Sequence, residues 1–164
     1  MNRPSNNMPE RPGHPVRANY LISGVTPEEV FDALLRVERF TEWSYGLSWS
    51  RIVGGATEVV PGTVLQFGLS ALGLTHEVES EIIIVEAPRL LEWRYVSGAL
   101  GDGGWLIEEA GPLSVRMTLS TDYHVKPVWL DRIANRPFIH NVVQDLLRRS
   151  VRRFGEQLKK QSPS

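Results

Sequence analysis

From Ile139 onward the apolar positions fall at Ile139, Val142, Val143, Leu146, Leu147, Val151, Phe154 and Leu158, the three-and-four spacing of a helix that buries one stripe. Such a stripe needs a surface to cover, and the preceding residues supply one. From Leu47 the period changes to two, and Gly and Pro punctuate the chain at Gly54-Gly55, Pro61-Gly62, Gly73, Pro88, Gly101 to Gly104 and Gly111-Pro112. They mark off six strands near residues 47–54, 63–71, 74–86, 90–98, 104–109 and 113–125, with Gly101-Asp-Gly-Gly read as a hairpin turn. Short links between successive strands make an antiparallel meander the economical topology.

Ahead of this meander, Val16 to Ser23 alternates and reads as a first strand. Thr26 is placed as an N-cap with Pro27 at the first helical position. Glu29 completes a capping box, and Val25 with Val30 forms a hydrophobic staple. The helix presents Val30, Phe31, Leu34 and Val37, and Glu38 to Ser44 reads as a second short helix. After the last strand, Pro127 stops pairing, Val128 to Ala134 reads as a helical turn, and Pro137 opens the terminal helix. The class is α+β, with one sheet of seven strands, two short helices after the first strand and a long closing helix.

Alternation predicts which side faces inward. In 74–86, Glu77, Glu79 and Glu81 share the water side, so His76, Val78, Ser80, Ile82 and Ile84 face the interior. The next strand turns Leu91, Trp93, Tyr95 and Ser97 inward, and the last turns Val115, Met117, Leu119, Thr121 and Tyr123. The result is an apolar wall dotted with His76, Ser80, Tyr95, Thr121 and Tyr123. Each such group costs about 1–3 kcal/mol if buried without a partner, so the wall points to a cavity holding water or a ligand.

Composition narrows the function classes. The chain has 164 residues, fitting one domain, and 18 basic against 19 acidic residues give no global field for nucleic acid or an anionic membrane. There is no cysteine, which excludes disulfides, thiolate metal sites and a cysteine nucleophile and fits a cytoplasmic location. Residues 1–15 carry Pro4, Pro9, Pro12 and Pro15 among polar residues and read as a disordered leader, leaving 16–161 as the domain. No apolar run reaches the length of a membrane span. The four histidines, His14, His76, His124 and His140, have no ligand-like spacing, so neither a metal nor another cofactor is expected. Arg148, Arg149, Arg152 and Arg153 lie off the apolar stripe and read as a solvated face.

Three segments carry a family likeness: Thr26-Pro-Glu-Glu-Val-Phe-Asp-Ala-Leu-Leu-Arg-Val-Glu-Arg-Phe-Thr-Glu-Trp, Glu86-Ala-Pro-Arg-Leu-Leu-Glu-Trp-Arg-Tyr, and the Arg/Leu-rich helix after Pro137. With this order of elements the chain resembles the START-like (SRPBCC) superfamily, in its polyketide cyclase/dehydrase and lipid-transport branch, to which the birch-pollen-allergen fold is related. The resemblance implies a helix-grip fold, a curved antiparallel sheet wrapped around the terminal helix and enclosing a deep apolar cavity. It also implies binding of lipids, polyketides, quinones or similar molecules, and in some members cyclase activity. It brings no fixed catalytic set to these residues.

The leading expectation is a carrier or sensor for a hydrophobic small molecule. Val78, Leu91, Trp93, Met117, Leu119, Val143 and Leu147 would give apolar contact, and His76, Ser80, Tyr95, Thr121 and Tyr123 polar contact. Trp129, Leu130 and Ile133 would gate the mouth. The alternatives are a cyclase or dehydratase with His76 as general base and Tyr95 or Tyr123 stabilising an enolate, and a protein-interaction module with a filled core and apolar surface near Trp43 or Trp129. A protein partner or a homodimer is compatible with each.

Overall fold

A computed structural model describes residues 16–71, 73–125 and 136–161. The expected leader, the turn after Pro127 and the gating residues Trp129, Leu130 and Ile133 lie outside the described residues.

Seven strands form one antiparallel sheet: β1 (Val16–Ser23), β2 (Leu47–Ile52), β3 (Val64–Ala71), β4 (Leu74–Glu86), β5 (Leu90–Ser97), β6 (Ala99–Glu109) and β7 (Ser114–Val125). Their order is β1-β7-β6-β5-β4-β3-β2, so β2 to β7 run as a meander and β1 closes onto β7, with Ala18 opposite Leu119. Between β1 and β2 lie α1 (Pro27–Leu34) and a 3-10 helix (Val37–Glu42). The cap of α1 is the expected reciprocal box: the Glu29 amide donates to Thr26 Oγ1 at 3.2 Å and the Thr26 amide to Glu29 Oε2 at 2.8 Å. Val25 and Val30 beside it are both fully buried.

The terminal helix α2 (Pro137–Gln161) lies against β1 and is sealed unevenly. Ser150, Val151, Phe154 and Gly155 are buried, whereas Ile139, Val142, Val143, Leu146 and Leu147 are only half-buried. Gly155 permits the closest approach, because a Cβ there would stand 2.5 Å from Cδ1 of Tyr20 on β1. Polar ties hold the helix along its length. Gln144 Nε2 donates to the Arg17 carbonyl at 2.8 Å, the Tyr45 amide to Ser150 Oγ at 2.8 Å, and Gln157 Nε2 to the Glu42 carbonyl at 2.9 Å. The sheet's other face carries a polar ladder, in which Arg51 Nε reaches Gln66 at 2.7 Å and Gln66 Nε2 reaches Glu79 at 3.0 Å.

Two details depart from the strand pattern. The Gly101 to Gly104 run is not a turn: it lies inside β6, which starts at Ala99, and the chain reverses at Gly98 with φ 76°. These glycines serve close approach. A Cβ on Gly103 would meet Trp93 Cζ2 at 2.5 Å, and one on Gly101 would collide with the Asp122 carbonyl. The second departure is a bulge in β4 between Ile82 and Ile84. It pairs Ile84 with Glu92 on the water side and brings Val85 to the core in its place. A further irregularity between Glu79 and Ser80 leaves Ser97 opposite Glu79 and exposed rather than inward. The result is a curled antiparallel sheet closed by a C-terminal helix, the α+β helix-grip arrangement.

Candidate functional site

Where the half-buried part of α2 crosses the concave face of the sheet, the interior is not filled. A cavity of about 280 Å³ lies there, walled by β3, β4, β5, the 3-10 helix and α2. One side is aromatic. Trp43 packs edge-on to Trp105 at 6.1 Å between ring centres, and Phe40 lies parallel to Phe67 at 6.1 Å. Leu34, Val37, Leu65, Ile82, Leu91 and Leu119 add aliphatic wall, and Val143, Leu146 and Leu147 form the roof. Tyr45 and Leu69 also line the space and remain 41% and 39% exposed, which puts an open side between the loop before β2 and the end of β3.

Eight of the expected ligand-contacting residues line this cavity: Val78, Ser80, Leu91, Trp93, Tyr95, Leu119, Val143 and Leu147. Four others do not. Met117 is wholly buried in the packed core. Thr121 stands behind Tyr95, its Oγ1 at 2.7 Å from the phenol oxygen and donating at 3.2 Å to the Asp102 carbonyl. His76 uses Nε2 at 2.7 Å from the Gly98 carbonyl and braces the reversal between β5 and β6. Tyr123 has its own partners and lies off the lining. Among the described residues no three His, Asp or Glu side chains gather into a group that could ligate a metal.

The polar groups facing the void are few. Burial pushes the Tyr95 phenol above its ordinary range, while its hydrogen bond to Thr121 and the Trp93 indole act in the opposite direction. The phenol therefore stays neutral. Ser80, directly opposite Tyr95 across the β4–β5 pair, is 2% exposed and lines the cavity. Among the described residues its hydroxyl has no hydrogen-bond partner. No described side-chain nitrogen or oxygen is sealed away unpaired, so this hydroxyl opens onto the void. No Asp, Glu, Lys, Arg or His among the described residues lines the cavity.

Alternation alone does not single out the aromatic wall. Phe40 and Trp43 come from the segment after α1, and Phe67 and Trp105 from strands to which the sequence reading assigns no inward face; the available signal is the parity of Phe67 with Leu65 and of Trp105 with Ile107. A wider depression of about 760 Å³ lies on the outer face over Gly103 and Gly104, but Arg17, Glu92, Arg94, Asp102 and Asp122 rim it in open solvent. Charged groups border that depression, whereas the interior space is lined mostly by apolar residues and suits an apolar guest better. The arginines of α2 are exposed, with Arg149 on Asp145 at 3.0 Å, Arg152 on Glu156 at 2.9 Å and Arg153 over the Tyr45 ring. Among the described residues no helix is long and apolar enough to cross a membrane.

The sheet curls around one helix over an apolar void, and comparison with known proteins supplies the family. The polyketide cyclase / dehydrase and lipid transport family matches residues 16–161, and the chain belongs to that family. Among solved structures it is similar to a protein of Thermus thermophilus (TM-score 0.75, 16% identity, covering 91% of this chain and 99% of that one). It is also similar to the Zhui aromatase/cyclase of a Streptomyces species (0.72, 11%, 92% and 96%) and to a START superfamily protein of Mycobacterium smegmatis (0.61, 12%, 90% and 96%). No curated protein matches the chain significantly in sequence.

Proposed function

We propose that the protein carries or senses a hydrophobic small molecule, of the lipid, polyketide, quinone or aromatic-metabolite kind, enclosed beneath α2. The observation that supports this reading is the 280 Å³ apolar cavity, lined largely by core residues yet left unfilled by them. That volume lies at the lower end of small-molecule sites and favours a compact guest. Contact would come from Val78, Leu91, Trp93, Leu119, Val143 and Leu147, with Ser80 and Tyr95 meeting the guest's polar end. Entry would run past Tyr45 and Leu69. The family supports hydrophobic small-molecule binding in general, and membership of it is equally compatible with a cyclase. For the cyclase reading, however, the geometry offers His76 no place on the cavity wall.

Tryptophan emission is the natural probe, since Trp43, Trp93 and Trp105 all border the void. Titration with fatty acids, flavonoids and quinones is expected to give a saturable change for at least one class. A flat response across the whole panel overturns the reading.

A further inference from the structure

Of the hydroxyls on the cavity wall, that of Ser80 is the one both buried and without a hydrogen-bond partner among the described residues. Ser80 lines the void, and since no described side-chain polar atom is sealed away unpaired, its hydroxyl opens onto that void. Its neighbour across the strands, Tyr95, is differently placed. Thr121 gives its proton to the Asp102 carbonyl, so the proton in the 2.7 Å Tyr95–Thr121 contact comes from the phenol. The Tyr95 oxygen therefore offers lone pairs, while the Ser80 hydroxyl offers both a proton and lone pairs. Around these two groups the lining holds no charged side chain among the described residues.

From this we infer that the site selects an uncharged, compact, ring-shaped guest bearing a hydroxyl group, which Ser80 holds by a hydrogen bond, and that it rejects ionised carboxylates. The inference rests on the small-molecule reading given above and specifies its chemistry. A carboxylate entering the cavity would lose its water with no cation or paired donors to replace it. A hydroxyl on the guest gives Ser80 a partner that the described residues do not, whereas an apolar guest covering it would leave that group unmet. The aromatic wall favours flat rings, and a cavity of about 150 Å³ already accepts one benzene ring, so 280 Å³ accommodates about two fused rings.

Calorimetric titration of the full chain at neutral pH with naphthalene, 2-naphthol and 2-naphthoate tests this. The expected order is 2-naphthol tighter than naphthalene by about fivefold to tenfold, and 2-naphthoate weaker than 2-naphthol by at least about thirtyfold. Ser80→Ala is expected to abolish the preference, bringing 2-naphthol and naphthalene to the same affinity, and retained naphthalene binding shows that the variant is folded. Unchanged 2-naphthol binding in Ser80→Ala, or 2-naphthoate as tight as 2-naphthol, overturns the inference. If none of the three binds while a fatty acid, flavonoid or quinone does, the hydroxyl-ring selection fails and the cavity reading stands. If nothing binds at all, both fall together.

Discussion

Replacing Val78 by Phe should make the protein more stable and a poorer binder at once. Val78 is 4% exposed on β4, opposite Phe67, and its side chain borders the void. The space beside it is about 280 Å³, and filling its enclosed part is worth about 24 cal/mol per Å³. The larger ring occupies on the order of a fifth of it, a gain of about 1 kcal/mol, which for a domain of this size raises Tm by about 2–4 °C. The control is the same exchange at Val151, which is wholly buried on α2 and does not border the cavity. There the extra atoms have nowhere to go, and overpacking should cost about 1–3 kcal/mol. Thermal melts of both variants, paired with a titration of whichever guest the wild type binds, give the comparison. Opposite signs of the Tm shift, with binding lost in Val78→Phe, are expected. If Val78→Phe is destabilised as much as Val151→Phe, the concave face is packed and the reasoning is wrong.

Other expectations follow from the same geometry. Because burial raises the Tyr95 phenol, the unfolded chain ionises first as pH passes about 10. The stabilisation is thus complete below that pH and is lost as pH climbs toward the raised folded value; Tyr95→Phe should flatten this alkaline limb in denaturation midpoints followed against pH. Gly103→Ala should destabilise by about 1–3 kcal/mol, since its Cβ would press on Trp93 and on the Ser120 carbonyl at 2.9 Å, and a urea melt with no loss would contradict that close approach. Thr26→Ala removes one half of the capping box and should cost about 1 kcal/mol in the same melt, leaving ligand affinity intact.

What can be read from the letters alone is local in origin. The cap of α1 needs only Thr26, Glu29 and their spacing, and the stripe of α2 needs only its period, so both are visible in the string. The meander follows from punctuation. Gly101 to Gly104 mislead for a physical reason: glycine breaks a strand when it supplies a turn, yet it belongs in a strand when a neighbour such as Trp93 lies directly over it. Nothing in the string distinguishes the two. The β4 bulge is hidden in the same way, because Ile82, Ile83, Ile84 and Val85 are all apolar and a change of parity leaves no mark. Parity also assigns a side chain to a face without saying whether that face is filled. Met117 and Leu119 share one face of β7, but Met117 is locked in the core while Leu119 borders open space. The same rule turns His76 inward, whereas its choice of the Gly98 carbonyl depends on how β5 and β6 reverse.

The uneven sealing of α2 divides one continuous helix into an anchor and a shutter. Its later turns, from Ser150 through Gly155, are clamped against β1, while the turns around Val143 and Leu147 lean over emptiness. Backbone amides in the clamped half should exchange with deuterium only on global unfolding, whereas those in the leaning half exchange through smaller openings. A guest that fills the space beneath would slow exchange in that half alone, so occupancy would be written along a single helix as a difference between its two ends.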